Sequence, residues 1–359
     1  MKICKVVFFC LLLAGCAQAP NLWGAVPAAI PAAPSALRPT QTAPFTPSPT
    51  AFVLPPSSTA PFAATIEPTP TITPLPVGIE RVLIISYDGM RPDAIAAAPM
   101  NNLLELMKTS AYTLTNAITI AYPSTLPSHA AMVSGLCMAK NGVVYDKYFM
   151  YMGYSKGVDI FDLAHAAGMR TVMVVSKDKL RQLAEPETTD VFEVRYGEPA
   201  VAREAVAQID RGFGLMFVHF AGADLRGHKY AWMSDPQFKV LREGDEALGQ
   251  ILSALEENGL RDSTLIIVTA DHGGHDKNHV GTVIEDYRIP WIASGPEIVP
   301  SEIAARLHTM DTAATVAYGL GFPQQADWDG IPVYEAFGEP RLKIHPESVQ
   351  WPCHQWNDH

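Results

Sequence analysis

The sequence predicts an α/β fold in which a mostly parallel β-sheet is sandwiched between helices. Three short apolar runs support this: VLIISY, which stops at Asp88; LMFVHFAG, closely followed by Asp224; and TLIIVTA, which stops at Asp271. Such runs are typical of strands buried on both faces of a parallel sheet. Helical segments alternate with them, as helical crossovers between parallel strands require.

The predicted elements follow from apolar spacing and turn residues. Strands are predicted at 81–87, 170–175, 214–221, 263–270 and 289–293. Helices are predicted at 92–110, 125–134, 158–167, 198–211, 238–258 and 310–318. Together they define one unit, residues 79–345, which is long enough to bury a substantial core as a single domain.

The first fifteen residues have the pattern of an export signal. Lys2 and Lys5 precede an apolar run that is too short to span a membrane and suits a secretory signal. The run ends in LAGC, which resembles a bacterial lipoprotein signal and implies cleavage of residues 1–15 and lipid attachment at Cys16. An exported, membrane-anchored protein of the cell envelope is therefore expected. The alternative is an ordinary signal peptide cut near Ala17 or Ala19.

Residues 16–78 are rich in Pro, Ala, Thr and Ser and contain 15 of the 30 prolines in the chain. A segment of this composition buries too little apolar surface to fold, so we expect a disordered stalk. Residues 346–359 are expected to form a C-terminal tail. Once the signal and Cys16 are set aside, Cys137 and Cys353 remain, and an exported location permits their pairing.

The charge balance narrows the class of binding partner. The formal charge is −11, and removal of residues 1–15, with two lysines and no acid, leaves −13. An acidic chain is poorly suited to bind long nucleic acid by phosphate neutralisation. A small phosphate ester can still bind where metal ions supply local positive charge.

Carboxylates and imidazoles follow the three apolar runs. Asp88 follows the first, Asp224 and His228 the second, and the adjacent Asp271 and His272 the third. The carboxyl ends of parallel strands meet at one crevice, so these side chains are expected to converge there. A mixture of carboxylates and imidazoles suits zinc-like divalent ions. His279 is favoured to complete the site, with His275 as its substitute or as a supporting group.

Thr125 stands at the start of a predicted helix within the turn YPSTLPSH. A threonine there can be a simple N-cap, and the same position also favours an incoming phosphate. A hydroxyl beside divalent ions can become a nucleophile. Taken with the strand-end residues, Thr125 is the candidate nucleophile of a metal-assisted hydrolase.

These motifs carry a family resemblance. VLIISYDGMRPD, PSTLPSH, ADLRGH and TADHGGHDKNH occur in this order and resemble the alkaline phosphatase superfamily, in particular its type I phosphodiesterase/nucleotide pyrophosphatase branch. The resemblance runs from about residue 80 to 335. Sulfatases of the superfamily carry a Cys or Ser in a CxPxR-type motif, which TLPS at 125–128 lacks.

The resemblance implies two divalent metal ions, most often Zn²⁺ and in some relatives Mn²⁺. It assigns Asp88, Thr125, Asp271 and His272 to one ion, and Asp224, His228 and His279 to the other. It also implies that Thr125 attacks phosphorus to form a phospho-threonine intermediate, which water then hydrolyses.

One position departs from the family pattern. Diesterase relatives carry an Asn that donates a hydrogen bond to a phosphate oxygen, and the matching residue here is Asp146. An ionised Asp cannot donate and would repel phosphate. Either Asp146 is protonated, or Lys147 or the Thr125 N–H serves as donor, or the activity is altered.

The sequence thus predicts a metal-dependent hydrolase of phosphodiester or pyrophosphate bonds in nucleotide-type substrates. A phosphomonoesterase or phosphonate hydrolase on the same site is the alternative within enzymes. From another class, a non-catalytic envelope lipoprotein could retain the metals as a structural brace.

Overall fold

The computed structural model describes residues 78–340, all of which lie in one unit, Thr69–His359. The expected signal, the lipid site at Cys16, nearly all of the stalk, the tail and Cys353 lie outside the described residues. Cys137 is disulfide-bonded. Within the described part of the chain, none of the helices combines the length and apolar character needed to cross a bilayer.

The fold is built around an eight-stranded mixed sheet with a small two-stranded sheet beside it. The strands are β1 Arg81–Tyr87, β2 Ala111–Thr113, β3 Ala117–Ile118, β4 Thr171–Val175, β5 Val191–Val194, β6 Leu215–Phe220, β7 Thr264–Thr269, β8 Trp291–Ser294, β9 Ser301–Glu302 and β10 Leu307–His308. The large sheet has the order β5-β4-β6-β1-β7-β8-β2-β9, and β3 pairs with β10.

The five central strands confirm the predicted parallel core. β1 lies between β6 and β7 and is parallel to both, with Val82 opposite Leu215 on one side and Leu265 on the other. Every residue of β4, β6 and β7 is buried. Their apolar, β-branched sequences are therefore explained by helices that cover both faces of the sheet.

The other edge of the large sheet is antiparallel. The strand predicted at 289–293 begins at Trp291, and β8 runs antiparallel to β7 and to β2. The sequence analysis did not identify the short strands β2, β3, β5, β9 and β10. Segments of two to four residues carry too few positions for a period to be recognised.

The helices flank the sheet in two groups. They are α1 Ala94–Ala97, α2 Asn101–Met107, α3 Thr125–Ser134, α4 Met138–Asn141, α5 Ile160–Ala166, α6 Glu198–Asp210, α7 Gly222–Tyr230, α8 Asp235–Glu257, α9 Ile284–Tyr287 and α10 Asp311–Gly319. One group packs around α8 and includes α2, α6 and α7, whereas α4, α5 and α10 pack on α3.

The single helix predicted over 92–110 is wrong. The chain instead forms α1 and α2, separated at 98–100. Pro99 lacks a backbone N–H and disfavours helical geometry in the residue before it. Ala98 accordingly leaves the helical region, with φ −91° and ψ 13°.

Candidate active site

The three strands at the centre of the sheet deliver the acidic residues to one crevice. Asp88 directly follows β1, Asp271 follows β7 by one residue, and Asp224 lies in the first turn of α7, just after β6. All three side chains are buried. The sequence-based expectation that these carboxylates converge agrees with the order β6-β1-β7.

Asp88, Asp271 and His272 form what we call the inner cluster. His272 Nε2 lies 3.6 Å from Asp88 Oδ1 and 3.4 Å from Asp271 Oδ2. All three residues are completely buried, and these three atoms have no hydrogen-bond partner among the described residues. Buried polar atoms without partners are costly, and a cation bound between these three atoms would offset that cost.

The remaining polar atoms of the inner cluster are fixed by the backbone. The N–H groups of Gly89 and His272 both donate to Asp271 Oδ1 at 2.9 Å. His272 Nδ1 lies 2.8 Å from the carbonyl oxygen of Gly273, which favours the proton on Nδ1. His272 Nε2 is then left with a lone pair directed at the two carboxylates.

Asp224, His228 and His279 form the outer cluster. His228 Nε2 lies 3.3 Å from Asp224 Oδ1 and 3.1 Å from His279 Nε2, and His279 Nε2 lies 3.7 Å from Asp224 Oδ1. The Nδ1 atoms of the two histidines contact the carbonyls of Lys277 and Pro123 at 3.0 and 2.6 Å. With Nδ1 protonated, both Nε2 lone pairs face one another, an arrangement that a shared cation would stabilise.

Both clusters offer the donor set expected for zinc-like ions. Carboxylate oxygens and imidazole nitrogens with carbonyl-bound second nitrogens are typical of such sites. Within residues 78–340, two groups of side chains have ligand atoms that all lie within 4.8 Å of one another. One group is Asp224, His228 and His279, and the other is Asp88, Asp224 and His272. Asp224 therefore lies where the two clusters meet.

The electrostatics also indicate a need for positive charge. Burial would raise the pKa of Asp88, but Lys177 and His219 hold it well below the ordinary carboxyl value. Burial, together with the charge of Asp88, raises the pKa of Asp271 well above that value. Without metal, the inner cluster thus supports one full negative charge more easily than two.

Thr125 is the first residue of α3 and is buried beside these clusters. The N-cap is Ser124, and its side chain makes no capping bond, so Thr125 is not the N-cap that the simpler interpretation proposed. Its hydroxyl instead accepts a hydrogen bond from Lys177 Nζ at 3.0 Å. The Thr125 oxygen therefore shares this ammonium with one carboxylate of each cluster, Asp88 of the inner and Asp224 of the outer.

Lys177 is a central residue that the sequence analysis missed. It lies two positions after β4, and its ammonium lies 2.7 Å from Asp88 Oδ2 and 2.6 Å from Asp224 Oδ2, in addition to its contact with Thr125. Burial would lower the pKa of Lys177, but Asp88 and Asp224 raise it above its usual value. The three N–H donors of Lys177 thus match three acceptors.

Two buried histidines, His219 and His129, also escaped the sequence analysis, and both form hydrogen bonds to residues of the site. Ser176 N donates to His219 Nδ1 at 3.2 Å, so His219 Nε2 donates to Asp88 Oδ2 at 2.9 Å. His129 Nδ1 contacts the Thr125 carbonyl at 2.7 Å, and Ser86 Oγ contacts His129 Nε2 at 2.8 Å. Burial lowers the pKa of His129, which keeps it neutral, and both rings act by orienting their neighbours.

Asp146 lies beside Thr125, as the family pattern implied. Its Oδ1 accepts from the N–H of Leu126 at 2.9 Å, and Lys179 Nζ lies 2.8 Å from both of its oxygens. Lys147, the donor suggested by the sequence, is exposed and makes no hydrogen bond or ion pair to any residue of the described range. Its role in binding substrate stays a prediction without a supporting contact.

His275 does not join either cluster. Its Nδ1 lies 2.7 Å from Asp286 Oδ1, whereas His279 directs Nε2 towards Asp224. The preference for His279 over His275 therefore agrees with the geometry.

One glycine links the inner and outer clusters. Gly89 has φ +72°, a value that favours glycine, and its N–H donates to Asp271. A Cβ atom at this position would lie 3.1 Å from the Cα and Cβ atoms of Asp224. The carbonyl of Gly89 accepts from Trp232 Nε1 at 2.8 Å, so the turn after β1 is fixed on both sides.

Fold and site together define a member of the alkaline phosphatase superfamily. The family model described as Type I phosphodiesterase / nucleotide pyrophosphatase matches residues 82–159 and 175–288. The chain belongs to this family, as its motifs predicted. Members are typically dependent on two metals, and the Asp/His clusters described above could bind metal.

Curated relatives include bis(5'-adenosyl)-triphosphatase enpp4 of Xenopus laevis, which is 23% identical over 228 residues, covering 58% of this chain and 48% of the relative. A phosphopentomutase of Methylobacterium radiotolerans is 31% identical over 180 residues, covering 48% and 40%. The chain spans about half the length of the enpp4 relatives.

Solved structures confirm the fold. Murine ectonucleotide pyrophosphatase / phosphodiesterase 5 superposes with a TM-score of 0.59 at 14% identity, covering 72% of this chain and 99% of that one. A 2-O GAG sulfatase gives a TM-score of 0.62 at 17% identity, with 76% of each chain covered.

Proposed function

We propose that the protein is a dinuclear metal-dependent phosphohydrolase that cleaves phosphodiester or pyrophosphate bonds in nucleotide-type substrates. One observation carries the proposal: a buried threonine oxygen lies beside two clusters whose ligand atoms are directed at each other. Family membership supports the reaction class.

The inner cluster and Thr125 would hold one ion, and the outer cluster the other. Zn²⁺ is the favoured ion because the ligands combine imidazoles with carboxylates, and Mn²⁺ is the alternative. When bound, such ions lower the pKa of an oxygen nucleophile and neutralise charge on the phosphoryl oxygens.

The chain's own residues would prepare Thr125 for attack on phosphorus. Lys177 donates a hydrogen bond to the Thr125 oxygen, and its positive charge favours the anionic form of that oxygen. At the start of α3, the N–H of Leu126 bonds to Asp146 and that of Ser128 bonds to Ser124. The N–H of Thr125 has no such partner among the described residues, and a helix N-terminus favours a phosphate group. Attack by Thr125 would form a phospho-threonine and release the alcohol or phosphate leaving group, and water would then restore the threonine.

A phosphomonoesterase on the same site is the second candidate. The ammonium of Lys177 adds a positive charge at the nucleophile, which favours a phosphoryl group that carries two negative charges. Sulfatase activity is disfavoured because position 125 holds Thr rather than the Cys or Ser of those relatives, which share the fold at 17% identity.

The test compares a bis-aryl phosphate with a mono-aryl phosphate as substrates of the purified, metal-loaded protein. Hydrolysis of the bis-aryl ester at the higher kcat/KM supports the diesterase proposal, and the reverse order supports the monoesterase. Thr125→Ala is expected to abolish turnover of either ester while metal content is retained. Thr115→Ala, at an exposed position, is the matched control. A protein that binds metal and hydrolyses neither the two esters nor a nucleotide pyrophosphate bond would instead be the non-catalytic lipoprotein.

We also propose that the protein is exported and anchored to the membrane by lipid on Cys16. The LAGC motif at the end of the apolar run supports this. Metabolic labelling with a fatty acid should mark the natural chain and fail to mark Cys16→Ser. Equal labelling of the two would contradict the proposal.

A further inference from the structure

We propose that Lys179 binds a non-bridging phosphate oxygen of the substrate and that Asp146 positions it. This inference rests on the proposed phosphohydrolase function. It concerns a pair of residues that lie outside both metal clusters, so the two ideas can be tested separately.

The location of the pair follows from a chain of contacts. Asp146 Oδ1 accepts from the backbone N–H of Leu126, the residue directly after Thr125. Lys179 Nζ lies 2.8 Å from both oxygens of Asp146. The 3-10 helix Asp178–Leu183 that carries Lys179 also packs on α3. The ammonium of Lys179 is therefore joined through Asp146 to the backbone of the residue that follows the nucleophile.

The charges explain why a lysine is needed here. A lone carboxylate beside Leu126 N–H would occupy a backbone donor near the nucleophile and would repel a phosphate. Lys179 neutralises the charge of this carboxylate, so that it no longer repels a phosphate, and adds a positively charged hydrogen-bond donor. The pair thus presents a cationic N–H beside Thr125, where Asp146 by itself would present only acceptors.

Lys179 is better placed for this role than Lys177. All three donors of Lys177 are taken by Asp88, Asp224 and Thr125. The ammonium of Lys179 donates to the two oxygens of Asp146, and within residues 78–340 it has no other hydrogen-bond partner. Its side chain is 20% exposed, so an oxygen of a ligand can reach it.

The competing explanation is a purely structural one, in which the ion pair only ties the segment around 146 to the segment around 179. The two explanations differ in how paired substitutions combine. In a structural tie, loss of either partner has the same consequence. In a binding role, loss of Lys179 also exposes the charge of Asp146, and removal of that charge should repair part of the damage.

The experiment measures the affinity of the metal-loaded protein for inorganic phosphate by titration calorimetry. Lys179→Met is expected to weaken binding roughly 10-fold or more, as for the loss of a charge-assisted hydrogen bond. Asp146→Asn keeps one oxygen that can accept from Lys179 and removes the negative charge, so this variant should bind phosphate at least as tightly as the unmodified protein. The double variant should bind phosphate more tightly than Lys179→Met.

Metal content and the unfolding midpoint are measured for each variant, with Lys239→Met, an exposed lysine on α8, as the control for charge loss. If Lys179→Met unfolds, Lys179→Gln replaces it. Unchanged phosphate affinity in the Lys179 variants, absence of recovery in the double variant, or an unmodified protein that binds no phosphate would each overturn the proposal. A protein that binds phosphate through Lys179 but cleaves neither aryl ester would retain this inference while the proposed function fails.

Discussion

The inner and outer clusters use the same kinds of ligand in different surroundings. The inner cluster is completely buried, and its three ligand atoms have no hydrogen-bond partners in the described structure. In the outer cluster the side chain of His228 is 45% exposed, and the two imidazoles face each other. The inner cluster is therefore closed to water, whereas solvent reaches the outer cluster at His228. We expect the inner ion to stabilise the fold as well as to take part in the reaction, and the outer ion to exchange more freely with ions in solution.

The largest expected effect comes from the inner cluster. Asp271→Asn keeps an oxygen for the N–H groups of Gly89 and His272 but replaces a charged ligand atom with an amide nitrogen. We expect turnover to fall at least about 1,000-fold, as for loss of a group that stabilises transition-state charge. Steady-state kinetics and metal analysis check this. Asp276→Asn, at an exposed position nearby, should have little effect, and equal losses in both variants would contradict the interpretation.

Lys177 links the two clusters and allows a second test. Lys177→Met leaves Asp88 and Asp224 without their ammonium, so the metal-free protein should lose about 3 kcal/mol of unfolding free energy, as when one partner of a buried ion pair is removed. Bound metal would replace the missing charge, so the loss should be smaller in the metal-loaded protein. Urea unfolding with and without Zn²⁺ measures both values. The exposed Lys108→Met is the control, and an equal loss in the two states would show that Lys177 acts independently of metal.

When metal is removed, the outer and inner ions should be lost at different rates. A chelator is expected to remove the outer ion first, because solvent reaches the outer cluster at His228, and the inner ion later. Metal content and the thermal midpoint, followed together, should show that the second loss lowers the midpoint more than the first, since stabilisation of the native state by a ligand rises with the logarithm of its affinity. A single-phase loss of both ions would remove the distinction between the clusters.

The smallest effect is expected at the exposed rim. His228→Ala removes a direct ligand, so it should weaken binding of the outer ion roughly 100-fold or more and leave the inner ion in place. His275→Ala, whose ring contacts Asp286 instead, should leave both ions unchanged. Equilibrium titration with a competing chelator measures each affinity, and loss of the inner ion in His228→Ala would show that the clusters are not independent.

The same contrast explains what the sequence can predict. Asp88, Asp271 and His272 follow apolar strands, and the geometry of parallel sheets requires such positions to converge. Asp224 and His228 are four residues apart on α7, so a helical period brings them to one side. Their assignment as metal ligands stays a prediction, although the structure brings them together.

Other site residues carry no comparable signal. Lys177 and Lys179 follow β4 in a polar segment, where lysines are ordinarily solvated. His219 lies inside the apolar strand β6, and His129 lies in α3, whose residues are all buried. A polar residue within such a run is the one available clue, because a buried histidine needs partners. Which partners these are depends on tertiary contacts across more than forty positions.

The turn at Gly89 has a consequence for the evolution of the site. Its N–H fixes one carboxylate, and the missing Cβ lets the backbone of Asp224 approach. The distance between the inner and outer clusters is thus set by main-chain geometry rather than by the ligand side chains. Exchange of individual ligands could therefore shift the preference among metal ions while the span between them, and with it the size of the group that fits across, is preserved.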